Sequence, residues 1–275
     1  MKTVLKTTLL TLFASASITH AAIIAETSFG GSAASPTGDT GFSSTIWASS
    51  SGGGTASSAD FISGDMANLP DAYTNSGFVN SGNHIETASS PAFRTLSSAI
   101  DVETADTRYF SFLYRQNNAT TGENGGFSFY SGGNERSQVG MGLNNSIRIV
   151  DVGGSNKATT DDNIWVTGTD TAWIVGKLVT AVGNDTLSIR VFTGTDAIGA
   201  EDFSGPKSTS LGFAINGNLD NIRFNSSGGT NTQQFDEWRL GSTWDSVTVI
   251  PEPSTAALLG LAGLAMALLM RNRRR

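Results

Sequence analysis

The 275-residue sequence predicts an all-β protein whose body is a two-sheet antiparallel β-sandwich. Three observations carry this prediction. Short runs of β-branched and aromatic residues are separated by Gly, Asn, Asp and Ser; one run alternates apolar and polar residues with period two; and no helical period is sustained between residues 22 and 249. An apolar share of 38% with 15% charged residues is ordinary for a globular chain, and the length holds one large β domain or two small ones. With no cysteine, disulfides, thiolate ligands and cysteine nucleophiles are excluded, so burial, with a bound ion as a second source, must supply the stability.

The elements follow in chain order. Lys2 and Lys6 flank the start of an apolar run from Val4 to Ser17, and small residues close it near Thr19-His20-Ala21. Positive charge, short apolar run and small-residue exit in that order predict a secretory signal peptide over residues 1–21, cleaved after Ala21 and exported through the Sec translocon. Ile23 to Phe29 reads as an edge strand. Residues 22–60 are Gly- and Ser-rich and partly loop-like; Phe42, Ile46 and Trp47 favour a segment wrapped around the sandwich over a flexible leader.

"RYFSFLYR", Arg108 to Arg115, is an aromatic strand. Gly126 to Leu143 is a hairpin about Gly132-Gly133-Asn134, and Ser146 to Val152 is a further strand. From Thr171 to Gly194 the chain forms a second hairpin turning at Gly183-Asn184-Asp185. There Leu187, Ile189 and Val191 alternate with Ser188 and Arg190, so one face is core and the other wet. Asn216-Gly217 predicts another hairpin before Leu219 to Phe224, and "FDEWRLGSTW", Phe235 to Trp244, is the last strand. Ten or more strands result, within one domain over residues 22–249.

Charge bounds the partners. Between residues 22 and 250 there are 11 basic and 23 acidic residues, a net charge of −12. Such a body repels phosphate backbones and anionic headgroups, which argues against nucleic acid and favours divalent cations or neutral glycans.

Catalytic patterns are missing. His84 is the sole histidine after residue 21 and reads as a solvated loop residue; no G-x-S-x-G, H-E-x-x-H, Walker or EF-hand pattern occurs. Glu103/Asp106, Glu201/Asp202 and Asp236/Glu237 lack the spacing of a glycosidase pair, and adjacent Asp236 and Glu237 are expected on opposite faces of their strand. No catalytic residue is assigned and no cofactor is required; a polysaccharide-active enzyme is the alternative to a binding or structural role. Of the tryptophans, Trp173 and Trp238 are expected in the core, whereas Trp47 and Trp244 are platform candidates and Trp165 with Asp162 marks the candidate glycan contact. Glu26 and Asp236, near the first and last strands, are the candidate pair for a structural calcium.

The chain closes with "IPEPSTAALLGLAGLAMALLMRNRRR", Ile250 to Arg275. Pro251-Glu252-Pro253 with Ser254 is an extended segment that helix cannot enter. Residues 255–270 carry no charge and form about 24 Å of helix, a marginal membrane span, and Arg271, Arg273, Arg274 and Arg275 mark its cytoplasmic end. Motif (250–254), helix (255–270) and basic end (271–275), in that order at the C-terminus, resemble the PEP-CTERM sorting signal of exported bacterial proteins. The resemblance implies an exosortase-type processing enzyme as partner. It also implies inner-membrane anchoring through the helix before processing, then a cell-surface or matrix location in a Gram-negative-type bacterium that makes extracellular polysaccharide. The order of strands, with Arg94 to Ser98, the aromatic strand at Tyr109 to Tyr114, the Lys177 to Phe192 hairpin and Phe235 to Gly241, also resembles the concanavalin A-like or laminin G-like jelly roll. That fold implies a carbohydrate-binding or structural body.

Overall fold

The structure, a computed structural model, describes residues 22–50, 56, 61–78, 83–87, 91–117, 125–164, 168–226 and 232–249. The predicted signal peptide, Trp165 and the motif, membrane helix and arginines of residues 250–275 lie outside them. Among the described residues no helix is long and apolar enough to cross a membrane.

The strands are β1 (Ile23–Thr27), β2 (Gly30–Ser32), β3 (Ser35–Thr37), β4 (Phe61–Ser63), β5 (Asn83–Thr87), β6 (Ala92–Ile100), β7 (Asp106–Gln116) and β8 (Gly125–Ser131). They continue with β9 (Asn134–Met141), β10 (Ile147–Asp151), β11 (Lys157–Thr159), β12 (Ala172–Thr180), β13 (Asp185–Phe192), β14 (Ser208–Phe213), β15 (Leu219–Ser226) and β16 (Gln233–Gly241). Two short helices, α1 (Asp71–Thr74) and α2 (Trp244–Thr248), complete the set. One sheet runs β14-β13-β12-β7-β16-β5-β4, with β1 also on β16; the second runs β11-β10-β9-β8-β15-β6; β2 and β3 pair by themselves. The body is therefore the predicted all-β, two-sheet antiparallel sandwich.

Period-two alternation places the core. On β7, Phe110, Phe112 and Tyr114 point between the sheets, while Tyr109 and Leu113 point outward. The inward rings meet Phe127, Phe129 and Phe235 from the other strands, and Phe127 in turn meets Phe224 and Trp238. Each such ring contributes about 1.5–3 kcal/mol by leaving water. The outward residues are covered too: Trp173, Val175 and Phe192 join them under Met66 and Tyr73 from one segment and Trp244 and Val247 from α2. The larger sheet is thus covered on its outer face along β7, β12 and the end of β13, which explains why β7 and β12 read as nearly continuous apolar runs.

The hairpin at Gly132-Gly133 forms as predicted, because both residues hold positive φ (54° and 83°), as the tight turn between β8 and β9 requires. Asn216-Gly217 does not make a hairpin. Gly217 turns the chain (φ 80°), but β14 pairs with β13 and β15 with β6 and β8, so the turn carries the chain from one sheet to the other. Buried Asp185 secures that crossing by accepting from the Ile215 N–H at 2.8 Å.

The N-terminal segment wraps the sandwich. β1 lies on β16, Phe29 and Trp47 are fully buried, and Ala48 exchanges two backbone hydrogen bonds with Phe93 of β6. A buried ion pair pins it: Arg94 of β6 meets Asp39 at 2.6 Å with both side chains at most 5% exposed, and the guanidinium lies over the Phe42 and Trp47 rings. Burial raises the Asp39 pKa and lowers that of Arg94, so desolvation opposes both charges and the close geometry holds them.

Candidate functional site

Several predicted positions sit differently from expectation. His84 is on β5, not in a loop, and is 7% exposed; its Nδ1 donates to the Gly64 carbonyl at 2.8 Å. Trp47 and Trp244, offered as platforms, are buried with Trp173 and Trp238, so each described tryptophan belongs to packing. Asp162 is exposed, as a glycan contact requires, and accepts from Asn144 Nδ2 at 3.0 Å.

Asp236 and Glu237 share a side of the sheet. The register of β16 against β7 slips between Asp236 and Arg239, while Phe235, Trp238 and Leu240 all point into the inter-sheet core. The slip leaves one extra residue, and Glu237 takes positive φ (51°), so both carboxylates emerge on the outer face. There Glu237 binds Arg239 at 2.6 Å, the Arg239 guanidinium lies 3.7 Å from the centre of the Phe78 ring, and Tyr73 stands in the field of all three charges. Asp236 is fully buried: Oδ1 accepts the Glu237 N–H at 2.8 Å, and Oδ2 has no hydrogen-bond partner among the described residues. Burial first, and the Glu237 charge second, push its pKa well above the usual carboxylate range. The Tyr73 pKa is raised, again chiefly by burial. Covered by residues 64–78, this cluster has carboxylates but no open face.

The calcium pair meets the same geometry. β1 and β16 are neighbours, yet Glu26 stands opposite Arg239, whose Nε is 3.9 Å from its carboxylate. A guanidinium therefore occupies the ground between Glu26 and the Asp236–Glu237 carboxylates, where a divalent cation would be repelled. Among the described residues no group of three or more His, Asp or Glu side chains is arranged to hold a metal. We expect the melting temperature to stay the same within about 1 °C when a calcium chelator is added. A fall of several degrees in differential scanning fluorimetry would restore calcium as a stabilising ligand.

An open concavity lies on the outer face of the six-stranded sheet, a groove of about 460 Å³. Two cross-strand rows build it. Register aligns Lys157, Val150, Gln138, Ser128 and Arg223 on five adjacent strands, and the next outward row is Thr159, Arg148, Gly140, Gly126 and Asn225. Gly140 and Gly126 carry no side chains, so the second row drops to the backbone between Arg148 and Asn225. These glycines also permit close approach of strands: a Cβ on Gly140 would fall 1.9 Å from the Gly125 carbonyl oxygen. Glu135 on the groove wall accepts from Arg223 Nη2 (2.7 Å) and Ser128 Oγ (2.6 Å). The guanidinium of Arg223 is held over the Tyr130 ring. Sequence reasoning missed this groove, because its rows unite residues up to about a hundred positions apart.

One comparison with known protein families matches the tail. The PEP-CTERM protein-sorting motif is matched at residues 249–275. No curated protein matches the chain. Among solved structures, the chain is similar to the botulinum neurotoxin serotype D binding domain at 12% identity and TM-score 0.36, covering 69% of this chain and 44% of that one. It thus spans less than half of that domain's length. It is similar to the T. cruzi calreticulin globular domain (12% identity, TM-score 0.39, 83% and 95% covered) and to the lectin UEA-II complexed with galactose (9%, 0.38, 68% and 89%). The two-sheet architecture rests on the strand pairing itself.

Proposed function

We propose that this is an exported bacterial surface or matrix protein, sorted through residues 249–275 and processed by an exosortase-type enzyme near Pro251 to Ser254, whose body binds extracellular polysaccharide. The sorting motif matched at the C-terminus carries the reading, since such a motif implies export and membrane-dependent sorting. The signal peptide over residues 1–21 delivers the chain to the Sec translocon. The apolar stretch over 255–270 holds it in the inner membrane, and the arginines keep that end on the cytoplasmic side. Pro251 and Pro253 disfavour helix, which suits this stretch of sequence to a protease. The groove supports the binding role: it is open, of ligand size and lined by amide, hydroxyl and charged groups suited to hydroxyl-rich ligands. The reading assigns no catalytic step: Asp236 and Glu237 are buried, and Glu103/Asp106 and Glu201/Asp202 lack the spacing of a glycosidase pair.

Mass spectrometry of protein recovered from the cell surface tests the sorting. Nearly all chains should end between Ile250 and Ser254. Peptides reaching Arg275 in that fraction would overturn processing and leave a permanent anchor.

A further inference from the structure

We propose that the groove on the outer face of the six-stranded sheet binds an acidic polysaccharide, its carboxylate-bearing sugars meeting Arg148, Lys157 and Arg223. The inference rests on the glycan-binding reading and names its ligand class. Its first support is a contrast of charge. The body carries about twice as many acidic as basic residues, so a groove of arbitrary composition would be lined by carboxylates. Among the described residues this one holds three cations and a single carboxylate, Glu135, which already accepts hydrogen bonds from Arg223 and Ser128. The local field thus opposes the net charge from which neutral glycans were expected.

The second support is placement. Lys157 and Arg223 end the first row, separated by four strand spacings of about 4.8 Å, roughly 19 Å in all. Arg148 lies in the parallel row, on the strand next to that of Lys157. Cations at intervals along a trough suit a polymer with repeated carboxylates better than one small anion. Lys157 is exposed and makes no ion pair among the described residues, and burial lowers the Arg148 pKa, so a partly dehydrated guanidinium faces the trough. A carboxylate can take a guanidinium in a two-bond fork. Val150 and Val152 give the trough apolar ground for the C–H faces of sugar rings. Nucleic acid fits less well: among the described residues no aromatic side chain lines the groove for base stacking, and a duplex would press its remaining phosphates onto an acidic surface.

The full chain in detergent micelles can be titrated calorimetrically with hexamers of galacturonic and mannuronic acid, with cellohexaose and with a duplex DNA. At least one uronate hexamer should bind tenfold or more tightly than cellohexaose, and the preference should shrink as salt is raised. Lys157→Glu, at an exposed position that leaves folding intact, should weaken uronate binding about tenfold, and Arg148→Gln likewise. Equal binding of cellohexaose, unmoved by either substitution, would overturn the acidic class while leaving a glycan binder. Binding of no hexamer would overturn both the class and the glycan reading. Duplex DNA bound as tightly as the uronates would reassign the groove to polyanions in general.

Discussion

Trp47→Ala is expected to destabilise the body by about 3–5 kcal/mol, the range for deleting a large buried aromatic. Trp47 comes from a Gly- and Ser-rich stretch with the composition of a linker, yet its ring is fully buried. It meets Phe29 at 5.3 Å, Phe224 at 5.9 Å and Phe61 at 6.1 Å between ring centres. Its backbone N–H donates to Ala33 and its carbonyl accepts from Ala56. The alanine variant also removes one of the two rings over Arg94, opening the buried Asp39–Arg94 pair to water. Guanidinium unfolding should show a lower midpoint at unchanged slope, and Trp47→Phe should recover much of the loss. An unchanged midpoint would mean that the N-terminal segment lies outside the cooperative unit.

Asp236→Asn is expected to act in the opposite direction and to stabilise the protein above neutral pH by about 1–3 kcal/mol, the scale for an uncompensated buried polar group. The sign follows from linkage. Aspartate in the unfolded chain titrates near 3.8, whereas in the folded body burial and the Glu237 charge raise its pKa well above that value. Between those two values the folded state holds the extra proton, so stability falls as pH rises through the window. Asparagine has no such titration and can keep the Glu237 N–H bond through its side-chain oxygen. The two proteins should therefore melt alike below the ordinary carboxylate range and diverge as pH increases. Melting curves from pH 3 to 9 decide it; a variant less stable at every pH would show that the carboxylate is held ionised and useful to the fold.

The parts of this structure legible in the sequence are those set by local rules. Alternation at Leu187, Ile189 and Val191 gave one face of β13, and Gly132-Gly133 gave a turn only positive φ permits. What was not legible depends on partners distant in the chain. The slip at Asp236 to Arg239 arises where β16 meets β7, so no strand read alone could place both carboxylates on one side. His84 looked solvated because the strand pairing that buries it is non-local. The groove needed Gly126, Gly140, Arg148 and Arg223 brought into register, whereas the sorting motif was legible because it lies in the order of adjacent residues.

The pairing of β1 with β16 has a mechanical consequence. The Ala22 carbonyl accepts from the Ser242 N–H, so the body's two ends leave at one corner. A pull on the chain beyond Val249 passes first into α2, whose Val247 carbonyl is clasped by Ser111 Oγ at 2.9 Å. Behind it lies β16, bonded to β7 on one side and to β5 and β1 on the other. Such a load shears an interior strand against its neighbours and does not peel the sheet from an edge.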